Sequence, residues 1–438
     1  MRTLTKNVAN FIGQSVQVEG WLHKKRLLGG LTFINIRDRS GLVQIVIKDK
    51  SEVEKLRGLQ IGTVLSVQAT VLEEPRAPGG VELHGAVLTV QVAVTEESPI
   101  EIDKPIDHKS ENLDTLFDYR VVSLRNLRET AIFKIQDRVM EAAREYFYAN
   151  DFTEMKTPKL LAEATEGGAE VFKLNYFGRE AFLAQSAQFY KQIMVGVFER
   201  VFEMGGTYRA EPSATTRHMT EYITIDAEMG FIDFEDLLNF AHGMLKHVID
   251  RVWEQCEPEL KMWQATKPLM SAAPVKLTMA EVHELYSQAN SGESTVGEPD
   301  LRPDEERWIC EYAKKNLGTE AVFVTEWATD TNKFMFYHKK NQDRPEIADR
   351  ADFLFRGVEI MTVPMREHRY DVLIEQIKAK GIDPAKPGYR DYLLAFKHGL
   401  PPHGGFGWGM ERTTQKIIGL NNIKEASLFP RDMNRLAP

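Results

Sequence analysis

Apolar and polar positions alternate with two different periods along this 438-residue chain, and the change of period divides it. From residue 14 to about 98 the period is two, that of strands. Val16, Val18 and Leu22 share one face, Ile34 and Ile36 another, and Val43, Ile45 and Ile47 a third; Val64, Val67 and Val71 mark a fourth segment and Val81 to Val92 a fifth. With turns at Gly29-Gly30, Ser40-Gly41 and Pro78-Gly79-Gly80, five such segments predict a small barrel with the strand count of an OB-fold. If Ile34 and Ile36 point inward, Phe33, Asn35 and Arg37 point outward, as do Trp21, His23 and Gln44. An aromatic plate among polar neighbours suits stacking and base-edge recognition of single-stranded nucleic acid, although one exposed Phe is ordinary on any surface.

Pro99 to about Leu127 reads as a linker rich in Asp, Glu, Lys and Pro, closing in a short helix near Leu113 to Arg120. The period then becomes helical: Ile132, Ile135, Val139, Ala143 and Phe147 recur on one face, and Asn150 is a stop. A short strand follows, ending at Pro158. Val201 to Met204 and Tyr222 to Ala227 alternate again and predict two antiparallel strands. The helix after Gln188 is expected to turn Met194, Val197 and Phe198 inward. Residues 232 to about 320 are mostly amphipathic helix without evident chemistry. Strand-like runs return at 322–325, 334–337 and 352–360.

Net charge of −9 argues against a protein that coats nucleic acid indiscriminately, but leaves room for local patches such as Lys24-Lys25-Arg26. Two cysteines, Cys256 and Cys310, make no disulfide framework and suit a reducing compartment. The start of the chain lacks the apolar core of a signal peptide and no run approaches membrane-spanning length, so a cytoplasmic protein is expected.

Candidate chemistry gathers in two stretches. The hairpin turn carries Arg209-Ala210-Glu211 and Arg217-His218, rigid cationic forks able to clamp phosphate or carboxylate; a surface ion-pair cluster would show the same residues. His403-Gly404-Gly405-Phe406-Gly407-Trp408-Gly409-Met410-Glu411-Arg412 alternates glycines with aromatics and enters a helix, so that backbone comes close to something flat. The acids Asp352 and Glu359 add hard oxygens that suit magnesium beside a triphosphate.

Together the two stretches resemble motifs 2 and 3 of class II aminoacyl-tRNA synthetases, and the helix, strand and Pro158 resemble motif 1. Over its whole length the chain is similar to the short, archaeal-like aspartyl branch of that family. The resemblance implies an α+β protein: an OB-fold anticodon-binding domain (1–98), a linker (99–127) and an antiparallel-sheet catalytic domain (128–438), with motif 1 at about 132–158, motif 2 at about 202–231 and motif 3 at about 404–420. It implies an ATP-dependent ligase that activates L-aspartate and charges tRNA(Asp), with tRNA(Asn) as a further acceptor, and that works as a homodimer with no membrane association.

Residue by residue, the resemblance assigns ATP to Arg209, Glu211, Arg217, His218, Met219, Glu359, Gly409 and Arg412, with Arg209 and Arg412 the catalytic pair. It assigns the amino acid to Glu166, Gln188, Lys191, Asp226, Thr362 and Arg366, Mg2+ to Glu359, Thr362 and Asp352, and the anticodon to His23, Phe33, Gln44 and Pro78. Lys191 and Gly404 favour aspartate over asparagine; His23 with Pro78 looks like the pair that accepts both anticodons. The sequence departs from the family at Thr362-Val363-Pro364-Met365, where Ser-Gly-Ala-Gln is usual, and at Glu211-Pro212-Ser213-Ala214. An asparaginyl enzyme is the alternative, and a non-catalytic paralogue the second; Arg209, Glu211, Glu359 and Arg412 count against the latter.

Overall fold

The period-two segments form β1 (Ser15–Leu28), β2 (Leu31–Asp38), β3 (Gly41–Ile47), β4 (Val64–Glu73) and β5 (Val81–Val92), closed into a barrel in the order β1-β2-β3-β5-β4. The structure, a computed structural model, describes residues 1–28, 31–108, 112–164, 171–212, 215–290, 294–329 and 336–438. Val18, Leu22, Ile34, Ile36, Ile45, Val67 and Val71 fill the barrel. Helix α1 (Lys50–Arg57) follows β3 and is capped by Asp49, whose carboxylate accepts the N–H groups of Ser51 and Glu52. The barrel belongs to one compact unit, Met1–Thr130, with α2 (Leu113–Asp118) and α3 (Arg120–Ser123). There the buried Arg120 donates to Glu129 at 3.1 Å.

On the outer barrel face Phe33, Asn35, Arg37 and Gln44 are half-buried and Pro78 is exposed. Arg37 lies 4.9 Å from the Trp21 ring centroid, and Gln44 Nε2 donates to Glu82 Oε1. The expectation that His23 faces solvent is corrected: it is 8% exposed. The β1–β2 pairing shifts register between Leu22 and Lys24, and such a bulge re-aims the intervening side chain. Burial, then Arg37, hold its imidazole below the ordinary range.

The second unit, Ala131–Ala437, contains nearly all of α4 (Leu127–Ala149). Its strands are β6 (Thr153–Glu154), β7 (Leu160–Leu161), β8 (Lys173–Tyr176), β9 (Arg179–Leu183), β10 (Arg200–Tyr208), β11 (Glu221–Gly230), β12 (Lys276–Thr278), β13 (Ala321–Ala328), β14 (Ile347–Phe355), β15 (Val358–Pro364) and β16 (His403–Gly409). Eight of them form a mainly antiparallel sheet in the order β12-β13-β14-β15-β16-β11-β10-β6, and β7-β9-β8 form a small second sheet. The helices are α5 (Gln188–Phe198), α6 (Phe234–Gln255), α7 (Glu257–Trp263), α8 (Met279–Ala289), α9 (Pro303–Asn316), α10 (Tyr370–Ala379), α11 (Pro387–Lys397) and α12 (Met410–Ile418).

The apolar stripe of α4 and that of α6 (Leu237, Leu238, Ala241, Leu245) pack on one sheet face against Phe202, Ile225, Ala227, Phe406 and Trp408. Phe147 stacks on Phe202 with centroids 4.3 Å apart. Each buried Leu, Ile or Phe among them contributes roughly 1.5 to 3 kcal/mol by burial, so this layer holds the opposite sheet face in place. The strand expected over 334–337 is corrected: Phe336 and Tyr337 form a turn, and 334 and 335 lie outside the described residues. Their apolarity is used in a side cluster with Tyr389 and Tyr392 instead of in a strand pair. Among the described residues no helix is long and apolar enough to cross a membrane.

Candidate active site

A cavity of ≈ 280 Å³ opens over the sheet face that carries Thr224, Asp226, Gly407 and Gly409. Strand alternation creates it. In β16, Phe406 and Trp408 point into the core and are fully buried, which leaves glycines on the other face. A Cβ on Gly405 would collide with Ala227 O and the Glu228 carboxylate, whereas one on Gly407 would stand 3.6 Å from Asp226 Oδ1. One glycine lets strands approach; the other leaves room for a ligand.

The mouth is cationic. β10 and β11 pair in register from Arg200↔Met229 to Tyr208↔Glu221, and the turn beyond them projects Arg209, Glu211, Arg217, His218 and Met219 to the cavity. Arg209 Nη1 lies 3.8 Å from Glu211 Oε1, and His218 Nε2 lies 3.5 Å from Glu211 Oε2. Thr215 Oγ1 and His218 Nδ1 are 2.7 Å apart. Arg412, in the first turn of α12, donates from Nη1 to Glu359 O at 2.8 Å. Its neighbour Glu411 accepts the Ile223 N–H on both oxygens, at 3.0 and 3.1 Å. Burial pushes the Glu411 carboxyl up to about 8 against that hydrogen bond.

The floor comes from α5, which buries a polar stripe. Gln188, Lys191 and Gln192 are inward with Val195, while Val197 and Phe198 are 63% and 48% exposed. This corrects the expected inward Val197 and Phe198; the helix turns toward the site the side chains that the site needs. Lys191 Nζ donates to Asp226 Oδ1 at 2.8 Å and Phe406 O at 2.9 Å, and lies 3.7 Å from Glu228 Oε2. Arg366 Nε donates to Glu228 Oε1 at 2.7 Å, and its Nη2 reaches Gln188 Oε1 at 3.4 Å. Burial raises the Asp226 carboxyl, but Lys191 and the Thr224 hydroxyl outweigh it and hold it below the ordinary range.

Two cations thus share Glu228, and Asp226 stands beside them. Two buried atoms lining the cavity, Gln188 Nε2 and Gln185 Oε1, have no hydrogen-bond partner among the described residues. One is a donor and the other an acceptor, which suits a ligand carrying both.

Glu359 and Thr362 also line the cavity. Thr362 Oγ1 donates to Glu359 Oε1 at 2.6 Å, and burial of Glu359 is outweighed by Arg412 and this hydroxyl, so its carboxyl sits below the ordinary range. Asp352, paired with Thr362 across β14 and β15, is set back from the cavity. Arg350 Nη2 donates to both its oxygens at 3.0 Å, while burial, opposed by Arg350 and reinforced by Glu359, pushes it up to about 7. Among the described residues no group of three or more His, Cys, Asp or Glu side chains is placed to hold a metal ion. One or two carboxylates with a hydroxyl fit magnesium, which takes its remaining oxygens from substrate phosphates and water.

Of the residues assigned to ATP and the amino acid, Glu166 lies outside the described residues and all the others line this one cavity. Sequence reasoning missed Glu228, Gln185, Arg350, Tyr337 and His338. A signal existed for Glu228: Thr224, Asp226 and Glu228 alternate with the buried Ile225, Ala227 and Met229, yet Asp226 and Glu228 are buried as well. Tyr337 and His338 carried none, because Tyr337 is in a turn and His338 forms only an isolated bridge with Arg366. At the departure from the family pattern, Pro364 lines the cavity, while Met365 is buried in the core against Gly404.

Comparison with known proteins agrees with this geometry. The family of class II tRNA synthetases (D, K and N) matches residues 112–433, and the OB-fold nucleic acid binding domain matches 16–99. The aspartate–tRNA(Asp/Asn) ligase of Thermus thermophilus is 39% identical over 442 residues, covering all of both chains. The aspartate–tRNA(Asp) ligase of Pyrococcus abyssi is 40% identical, covering 97% of each. Among solved structures, asparaginyl-tRNA synthetase from Pyrococcus horikoshii, complexed with asparaginyl-adenylate, superposes with a TM-score of 0.91 at 30% identity over all of both chains. The cationic hairpin, the glycine strand, the paired buried cations and these full-length relatives lead to one assignment: the chain belongs to the class II aminoacyl-tRNA synthetases of the D, K and N group, with an N-terminal OB-fold domain.

Proposed function

We propose that the chain is an aspartate–tRNA ligase that forms aspartyl-adenylate from L-aspartate and ATP and transfers it to tRNA(Asp) and tRNA(Asn). The observation that carries the choice of amino acid is Lys191 and Arg366 sharing the single carboxylate of Glu228. Once Asp226 serves the substrate ammonium group, Lys191 and Arg366 face Glu228 alone, which leaves one positive charge to meet the β-carboxylate of aspartate and of no use to an amide. Asp226, with Gln185 Oε1, receives the ammonium group, and Gln188 Nε2 donates to the carboxylates. The Pro364 side chain is apolar, so this lining residue adds no competing side-chain polar group.

ATP binds bent across the glycine strand, its adenine against the hairpin beside Met219 and Glu211, its phosphates among Arg209, Arg217, His218 and Arg412. The aspartate α-carboxylate is already ionised, so the chain supplies no base. Its oxygen attacks the α-phosphorus in line, the bond to the bridging oxygen breaks, and pyrophosphate leaves. Arg209 neutralises charge developing on the α-phosphate and Arg412 charge on the leaving group; the rest is positioning. Glu359, with Thr362 and Asp352 behind it, would hold Mg2+, which supplies further charge neutralisation to the phosphates. The terminal adenosine hydroxyl of the tRNA then attacks the adenylate carbonyl, releasing AMP.

On the barrel, Phe33 stacks an anticodon base, Gln44 reads a base edge, and exposed Pro78 leaves the reading broad; His23 is buried and takes no direct part. Edge strand β6 has a single strand neighbour, β10, and with α4 forms the surface for a homodimer. Buried free thiols at Cys256 and Cys310 accord with a cytoplasmic location.

Exchange of labelled pyrophosphate into ATP, with aspartate and asparagine in parallel and without tRNA, tests the reading. Exchange with aspartate alone supports it, after which charging of the two tRNAs tests breadth. Exchange with asparagine sinks the amino-acid assignment, and exchange with neither sinks the enzyme.

A further inference from the structure

Helix α9 belongs to the 232–320 stretch to which the sequence attached no chemistry, yet it places one side chain against Arg217, a residue that lines the cavity. Glu306 Oε2 accepts from Arg217 Nη2, across 89 residues of sequence. The Glu306 side chain is 16% exposed and that of Arg217 is 28% exposed, so the pair is largely shielded from water. Other charges face the same carboxylate: Glu359 and Arg412 act on it, and Lys416 lies within reach of both Arg217 and Glu306. Two acids, Glu306 and Glu359, therefore stand among Arg217, Arg412 and Lys416; Glu359 is beside Arg412, and Glu306 is the one that accepts from Arg217. Nε and Nη1 of Arg217 have no hydrogen-bond partner among the described residues, while Arg217 itself lines the cavity.

We infer that Glu306 is a positioning residue for ATP: it holds one edge of the Arg217 guanidinium so that the other edge faces the terminal phosphates. The inference rests on the ligase reading above and gives α9 a part in it. An arginine on a turn otherwise spreads over many rotamers, and mutual repulsion drives it away from Arg412 and Lys416. A shielded carboxylate on a rigid helix removes both obstacles before substrate arrives, which is preorganisation of the phosphate site. Because Arg217 would contact phosphate in ground and transition states alike, losing its support weakens binding of ATP without slowing the chemical step.

The test uses the full chain and compares wild type with Glu306→Gln, Glu306→Ala, Arg217→Ala and the Glu306→Ala/Arg217→Ala double variant. ATP binding is measured by calorimetry without amino acid, and ATP–pyrophosphate exchange gives KM and kcat. Glu306→Ala should weaken ATP binding and raise the KM for ATP about tenfold, with kcat and the KM for aspartate within about twofold of wild type. Glu306→Gln, which keeps the shape and one acceptor, should fall between the two. In the Arg217→Ala background Glu306→Ala should change nothing further. Tighter ATP binding by Glu306→Ala would make the pair a latch and overturn the inference, as would effects that multiply in the double variant. Wild type that neither binds ATP nor exchanges pyrophosphate refutes the ligase reading itself; active wild type with unaffected Glu306 variants refutes only the role of Glu306. If Glu306→Ala does not fold, the near-isosteric Glu306→Gln decides by the same comparison.

Discussion

Arg366 and Glu228, 138 residues apart in sequence, meet at 2.7 Å with side chains 3% and 0% exposed. Neither could be buried alone, since an unpaired charge in such a place costs several kcal/mol. Replacing Glu228 with alanine should therefore destabilise the protein by about 3 to 5 kcal/mol, because the Arg366 guanidinium stays behind uncompensated. Urea denaturation reads this directly, and a loss below 1 kcal/mol would mean the pair is reached by water.

Lys191 faces Asp226 and Glu228 together. Lys191→Met keeps the length of the side chain and removes the charge, so the floor loses the cation that, with Asp226 given over to the ammonium group, matches aspartate. The expected result is a fall of about 10²-fold in kcat/KM for aspartate-dependent pyrophosphate exchange, with no parallel fall in ATP binding. Equal losses for both ligands would place Lys191 in the scaffold of the cavity.

The two middle glycines of β16 should separate folding from binding. Gly405→Ala places a methyl group against Ala227 O and Glu228 and is expected to cost about 1 to 3 kcal/mol or more. Gly407→Ala meets ordinary contact distance and lines the cavity, so the protein should melt near the wild-type temperature while substrate KM rises. Thermal melts and exchange kinetics on both variants test the contrast.

His403 gives a pH dependence. It is fully buried, with Nδ1 2.8 Å from Pro401 O and Nε2 3.1 Å from Gln192 Oε1. Burial lowers its imidazole from 6.5 to about 4, against the pull of Glu228. As pH falls below 6.5 the unfolded chain takes up a proton that the folded chain refuses. Stabilisation present above 6.5 is therefore lost progressively down to 4, by about 2 kcal/mol between pH 6.5 and 5. Urea midpoints across that window should fall less steeply in His403→Asn than in wild type; parallel slopes would show that other groups carry the acid sensitivity.

The barrel strands, the α4 stripe, the β10–β11 hairpin and the β16 alternation were legible because each is a local pattern: period two, period 3.6, or glycine between aromatics. Arg209, Arg217 and Arg412 were legible because their motifs occupy contiguous stretches. What local pattern could not determine was the side that wins when two tendencies compete. Helix α5 reads as if its apolar Val197 and Phe198 should turn inward, and β1 as if His23 should turn out. The fold reverses both, through a polar cavity floor in one case and a register shift in the other. Pairing of Arg366 with Glu228 and of Arg217 with Glu306 is likewise set only by tertiary structure, because a charge finds its partner by distance in space, and the sequence separations of 138 and 89 residues leave no trace in any local period.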